Sequence, residues 1–579
     1  MKVLLLKMSH LNKIRLFFSH LGQKARQWCI KPENILFLAL IIISLLPLWL
    51  FTYFPSQDGP RHLEIAKIIR EYHLASNSKF REYYLINSTL SPNWFIYLIL
   101  LGLMNFFPPL LAEKILLSGY VILFPISLRY ALSGISKKSV FLSFLAFPLI
   151  YNWALHKGFY NFSYSLPIFF FVLGYWLKYQ NRFTPPKILI LTLGIVLLYF
   201  AHLFSLVMAF IALFIATIWL IFSDLYQPSS EKLFDLSLWS RVLLKRLSIL
   251  FYLFFPVLVL SLMFVKKSTA AHASIIWGKG LWQVANLLTF GSLTSYDKLE
   301  FLFSTAWVIL LIVISLNFIL NKKDDFDAEK RPINVSQQLL AIFGVYLIIY
   351  FVAPSETFTS ISIKERLVFY PFFILILWLG TKNYNQPMKS HLKAASILIT
   401  LLFLLSHSLK YFQINKYLEE YISNSQLIEP NSTVLSLSFD NYLEDNQGKK
   451  VSARIQPLLH ASGYLAIEKP LVTLNNFPAS TDYFPLMYRS QLNPYKHISL
   501  KQKTDLDQTP PRVDFLTYPQ RTGGQIDYVL VWNYKEKFKN LAAAQSIFQQ
   551  LQQGYELISS SPQRGLMKLY RRKNRESGI

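Results

Sequence analysis

The chain reads as a polytopic α-helical membrane protein with a small α/β domain at its C-terminal end. Three observations predict this class. Of its 579 residues, 53% are hydrophobic and only 16% charged, a balance that no globular core can bury. Apolar runs recur along the chain, each about 20 residues long, the length that matches a hydrocarbon core of roughly 30 Å. After residue 412 the hydrophobicity falls and short β-patterned strings replace the long runs. Together these predict about 11 to 13 transmembrane helices followed by a compact α/β domain.

The elements follow in order. Residues 1–32 form a basic segment in which Lys2, Lys7, Lys13, Arg15, Lys24, Arg26 and Lys31 occur without an acid, which predicts a cytoplasmic N-terminus. No small-residue cleavage site follows the first apolar run, so a cleaved signal is not expected. The transmembrane domain covers 33–412. Its first span, 33–54, leads outside into a loop over 55–92. There Leu63, Ala66, Ile69 and Tyr72 recur at helical spacing with Arg61, Glu64, Lys67 and Arg70 between them, the pattern of a short helix lying in the interface plane, with Glu64 on its surface.

Further spans read as 93–133 (broken at Pro108-Pro109), 139–155, 159–178, 187–201, 203–222, 243–265, 301–321, 337–353, 365–381 and 393–412. A second long external loop covers 266–300. Segment 187–222 must be two helices, because one would be about 54 Å long. Counted as eleven crossings, this arrangement puts Lys137, Lys138, Arg182, Lys187, Lys245, Arg246, Lys322, Lys323, Lys330, Arg331, Lys382 and Lys389 on the inside, as the positive-inside tendency requires. Glu113, the main acid within the spans, falls near the inner face. The C-terminal domain, 413–579, then lies outside. Its strings "STVLSLSF", "KPLVTLNN", "IDYVLVWN" and "GLMKLYRR" read as strands, with an amphipathic helix at about 535–553.

Composition also excludes functions. The formal charge of +26 is explained by cytoplasmic loops meeting anionic lipid rather than by nucleic acid. The single cysteine, Cys29, excludes an intramolecular disulfide and a cysteine metal cage. There is no P-loop, dinucleotide fingerprint, zinc-protease motif or serine elbow, which argues against a nucleotide-driven pump or a soluble-type hydrolase.

The candidate residues are polar groups at the outer helix ends. Asp58, in "FPSQDGPRH", is either an N-cap ahead of Pro60 or a reactive carboxylate. His62, one turn on, could share a divalent cation (Mg or Mn) with Asp58 or stay solvated. His156, Lys157 and Asn161 fall in "WALHKGFYNFSYS", a turn with interfacial aromatics or a polar wall of the cavity that Asp58 faces. His202 interrupts the apolar "LLYFAHLFS". Lys266, Lys267, His272 and Lys279 lie in the external loop 266–300, and Glu365 and Arg366 at the mouth of the span 365–381. An arginine there can grip a phosphate with two parallel hydrogen bonds.

The layout resembles the lipid-dependent glycosyltransferases of the GT-C superfamily, and within it bacterial membrane proteins that begin with an Asp-Gly-Pro-x-His-Leu loop. The likeness is carried by "SQDGPRHLEIAKII" (56–69), "HKGFYNFSYSLP" (156–167), "LLYFAHLFS" (197–205) and "IKERLVFYPFF" (363–373). It implies a sugar moved from a polyprenyl-phosphate carrier, in a plasma or inner membrane, to a glycan, lipid or protein acceptor on the extracytoplasmic side. Asp58 takes the place of the first-loop catalytic acid. Gln57 stands where the usual loop has a second acid, which weakens a metal role borrowed from the paired version. The rival readings are a transporter or flippase for a lipid-linked glycan, a glycan ligase or polymerase, and a non-catalytic relative that only binds.

Overall fold

The structure is a computed structural model that describes residues 31–225, 236–267, 275–278, 280–321, 335–356, 362–444 and 448–573. Residues 1–30 of the basic segment lie outside the described residues, as do His272, Lys279, Lys322, Lys323, Lys330 and Arg331. Internal contacts divide the chain into two compact units with the boundary between Leu46 and Pro47. The candidate site lies wholly in the second.

Eight of the described helices are long and apolar enough to cross a membrane: Pro32–Leu50, Pro109–Ile135, Lys137–His156, Leu203–Leu225, Trp239–Val265, Glu300–Leu320, Val335–Val352 and Gln386–Leu427. The other predicted spans are helical but fall short for identifiable reasons. Phe95–Met104 has 10 residues and Pro185–Ala201 has 17. The predicted span 365–381 is divided into Ile363–Leu367 and Phe369–Leu379. Tyr160–Tyr179 has the length, 20 residues, but opens with the polar "YNFSYS". Segment 187–222 forms two helices that meet at His202, as the length argument requires.

Two expectations are corrected. The helix in the first loop, Gly59–Glu71, does not lie exposed at an interface: residues 59 to 68 are all buried. It packs against Phe95–Met104 and Pro109–Ile135 on one side and Ser462–Glu468 on the other. Its buried charges, Arg61, Glu64 and Lys67, are accommodated by hydrogen-bond partners. Glu64, expected at the surface, is fully buried and pairs with the fully buried Arg61. Arg61 also donates to Thr473 Oγ1 (2.6 Å) and Ser462 Oγ (2.7 Å), and Thr473 donates to Glu64 (2.5 Å). Lys67 donates to the carbonyls of Ala466 and Ile467, both at 3.1 Å. A buried ion pair is tolerated only where such additional hydrogen bonds satisfy it. Glu113 is the second correction. It sits at the Asp58 end of its helix, accepting from Tyr160 Oη at 2.7 Å and lying beside Gly59.

Beyond the long helix Gln386–Ile422, which runs past residue 412, the chain forms a five-stranded sheet. Its strands are β2 (Thr433–Ser438), β3 (Val472–Thr473), β5 (Tyr528–Trp532), β6 (Tyr555–Ser560) and β7 (Met567–Arg572), in the order β3-β2-β5-β7-β6. β2 runs parallel to β3 and β5, while β7 is antiparallel to β5 and β6. β2 is buried along all but its last residue and β5 along its whole length, as suits central strands covered on both faces. The helix Ala542–Gly554 precedes β6. A separate pair, β1 (Tyr84–Ile86) with β4 (Leu486–Tyr488), joins the first loop to this region through the register Tyr84↔Tyr488, Leu85↔Met487 and Ile86↔Leu486.

Candidate functional site

Asp58 occupies the cap position of Gly59–Glu71, yet its side chain makes no capping hydrogen bond. The local fold explains why it is held there anyway. The backbone N–H of Gln57 donates to His156 O (2.9 Å) and that of Asp58 to Lys157 O (3.2 Å), so the first loop is laced to "HKGF". Gly158 makes this approach possible. It has φ +86°, and a Cβ there would lie 2.6 to 2.8 Å from the backbone N, Cα and Cβ of Asp58. Gly59 is confined similarly, since a Cβ would collide with Ser56 Oγ and Tyr160 Oη.

The Asp58 side chain, 21% exposed, faces a cavity of about 230 Å³ whose walls include Arg366, His202, Asn161, His460 and the rings of Phe159 and Tyr483. Lys157 Nζ donates to Gln57 Oε1 (2.8 Å), and Gln57 Nε2 donates to Asp58 Oδ1 (3.2 Å). The residue in the place of a second acid therefore links a cation to the carboxylate. Burial pushes the Asp58 carboxyl up from 3.8 to about 6, with Lys157, the Gln57 hydrogen bond, Arg366 and Arg61 opposing.

Opposite stands a donor wall. The Arg366 guanidinium lies 4.3 Å over the Phe159 ring, a cation–π contact that fixes its plane. Burial lowers its pKa to about 10, so it stays charged at neutral pH. His202 Nδ1 accepts the N–H of Phe204 (3.2 Å) at the start of Leu203–Leu225. The proton of the neutral ring therefore sits on Nε2, which lies 3.5 Å from Arg366 Nη1. Two donors face each other at that spacing, an arrangement that an anionic oxygen placed beside both would satisfy.

The remaining predicted residues divide. His62 is 6% exposed and fully engaged. Its Nε2 donates to Gly158 O (2.8 Å), leaving Nδ1 to accept from Tyr97 Oη (2.7 Å). Burial lowers its pKa to about 4, so it is neutral and acts as a strut behind the Asp58 turn. Asn161 lines the cavity, but its amide is engaged by Ile96 N (3.1 Å) and Asn93 O (2.8 Å). His156 does not reach the cavity. It is fully buried between Ser295 Oγ (2.8 Å) and Tyr411 Oη (2.5 Å), in an aromatic cluster with Phe54 and Tyr296. Lys157 acts through Gln57. Glu365 lies outside the cavity lining, its pKa raised by burial. The side chains of Lys266 and Lys267 lie outside the described residues.

Both nitrogens of His62 are engaged, the nearest charges to Asp58 are cations, and no three ligating side chains gather among the described residues. Two participants escaped the sequence reading. Gln57 appeared only as a missing acid. His460, in "QPLLHASGYL", carried no local signal at all, yet its Nε2 stands 3.6 Å from Asp58 Oδ1. No protein-family model matches the chain, and no curated protein matches it significantly.

Proposed function

We propose that the chain is a glycosyltransferase of GT-C-like layout that moves a sugar from a polyprenyl-phosphate donor to an acceptor hydroxyl on the extracytoplasmic side. One observation carries the reading: a carboxylate left uncapped, with a pKa of about 6, shares a small cavity with the guanidinium of Arg366 and the imidazole of His202. A base poised near neutral pH is what removal of a hydroxyl proton calls for. In the step, the acceptor O–H bond breaks with its proton passing to Asp58. The oxygen bonds to the anomeric carbon, and the bond from that carbon to the phosphate oxygen breaks with its electron pair staying on the phosphate. Arg366 and the Nε2–H of His202 stabilise the charge gathering there.

The cavity is smaller than the roughly 300–1,000 Å³ of drug-sized sites, which suits a single ring. A second feature supports a lipid-linked donor. An apolar groove of about 500 Å³ runs between Leu203–Leu225 and Leu236–Lys267, lined by Leu206, Phe210, Leu250 and Phe254, and its upper rim at Leu206 is one helical turn from His202.

The test is turnover by the full chain in nanodiscs, supplied with polyprenyl-phosphate sugars labelled on the sugar. Loss of label from the lipid is expected with the native chain, and a fall of about a thousandfold or more with Asp58→Asn. Equal turnover by that variant sinks the reading. Equal movement of intact lipid-linked sugar across the bilayer by both proteins, without cleavage, favours the transporter instead.

A further inference from the structure

The helix Gly280–Thr289, in the second long loop, is amphipathic the wrong way round for water. Its polar side chains, Gln283 and Asn286, are buried, and it carries no charged residue. Leu281 (89% exposed), Val284 and Leu288 are exposed instead. With about 3.6 residues per turn, these three form one stripe, and Gln283 and Asn286 occupy the reverse side. The lead-in Ile275–Trp277 adds three more exposed apolar side chains, with Trp277 64% exposed. A soluble surface rarely leaves so broad an apolar patch uncovered.

The buried polar side fixes where the patch sits. Asn286 Nδ2 donates to Tyr350 Oη (3.1 Å), and Tyr350 Oη donates to Gln283 O (2.8 Å). Tyr350 lies in the last turn of Val335–Val352, so the helix is pinned at the level where that apolar span ends. Just beyond the same end, Ile276 N donates to Glu356 O (3.0 Å). The neighbouring spans carry exposed apolar side chains at this level too. They are Leu302 on Glu300–Leu320, against which the helix packs, and Phe351 and Val352 on Val335–Val352. The side of the membrane follows from the next turn. Gly291–Leu293 packs against Ile363–Leu367, which carries Arg366 of the Asp58 cavity.

We propose that the face made by Ile275–Trp277 and the stripe Leu281, Val284 and Leu288 is sunk in the lipid leaflet on the Asp58 side. The segment is then an in-plane membrane anchor and not a solvated loop. Two features select a bilayer over a second copy of the chain. The patch continues the apolar surface of two spans, and it carries two exposed tryptophans, Trp277 and Trp282, whose rings favour the headgroup level. The anchor also sets the height of the cavity. Phe290, directly after the helix, stacks on Phe372 (centroids 4.5 Å apart, planes at 21°) in the helix that follows Arg366. The insertion does not depend on the transferase reading.

The experiment is EPR power saturation on the full chain in phosphatidylcholine nanodiscs, with Cys29→Ser and one nitroxide-labelled cysteine at a time. The probe sites are Leu281→Cys and Leu288→Cys. Ile309→Cys, exposed on Glu300–Leu320, is the lipid reference, and Gln553→Cys, exposed on Ala542–Gly554, is the water reference. Oxygen concentrates in lipid and a nickel chelate in water. Collisions with oxygen are expected to prevail at both probe sites, at a depth of about 5–10 Å into the headgroup and acyl boundary. Nickel collisions prevailing as at Gln553 overturn the proposal, because the face then meets water. Few collisions with either reagent also overturn it, because a second copy then covers the face. Should a labelled variant fail to fold, the native chain decides. Photolysis of a lipid with a diazirine on its acyl chain is expected to label the tryptic peptide 280–298. Label on Glu300–Leu320 with none on 280–298 refutes the insertion.

Discussion

Replacing Asp58 with Asn should make the protein more stable at neutral pH while removing its activity. The magnitude follows from the carboxyl's displacement from 3.8 to about 6. Each unit corresponds to 1.36 kcal/mol, so holding the ionised group in place costs up to about 3 kcal/mol. For an acid whose folded pKa is raised, only the ionised form is penalised by folding. Below 3.8 both folded and unfolded chains hold the proton and there is no penalty. Between 3.8 and about 6 the unfolded chain ionises first, so stability falls as pH rises, and above about 6 the penalty is complete. Asn is neutral throughout and can still accept from Gln57. Thermal unfolding in nanodiscs should therefore place Asp58→Asn above the native chain at about pH 7.5, with a gap that shrinks below about 6 and vanishes below 3.8. A variant that melts lower than the native chain by the same margin at every pH would refute the reasoning. It would mean that the carboxylate serves as a structural cap.

Gly158→Ala should damage both fold and site: its φ of +86° alone costs an alanine about 1–3 kcal/mol, and the new Cβ presses on the Asp58 backbone. Unchanged melting and turnover would show that the two loops are not laced together as described. Arg61→Met strands the Glu64 carboxylate in the interior and should destabilise by about 3–5 kcal/mol, whereas Arg61→Met with Glu64→Leu should recover most of that. A double-mutant cycle on melting measures it, and a double variant no better than the single one counts against the buried pair.

Much of the helical part was legible because its cause is local. Apolar run length predicted spans at 203–222, 301–321 and 337–353, and the helices observed are Leu203–Leu225, Glu300–Leu320 and Val335–Val352. Four of the five strands of the sheet were visible for the same reason, as short apolar strings. The fifth, Tyr555–Ser560, was not: "YELISS" is largely polar, and only Tyr555 in it is buried.

The sequence by itself determined that long apolar helices would alternate with polar turns, that a sheet would follow, and that Asp58 would stand where the chain leaves its first long apolar run. Tertiary structure alone decided what Asp58 does there. Local rules read Asp-Gly-Pro as a cap and Arg61, Glu64 and Lys67 as a solvated face, because periodicity reports spacing and not partners. The partners come from far along the chain: Thr473 and Ser462 bury those charges, Lys157 reaches Asp58 through Gln57, and His460 faces it. Burial and hydrogen bonding between distant segments set a side chain's protonation and direction, and no local pattern encodes either.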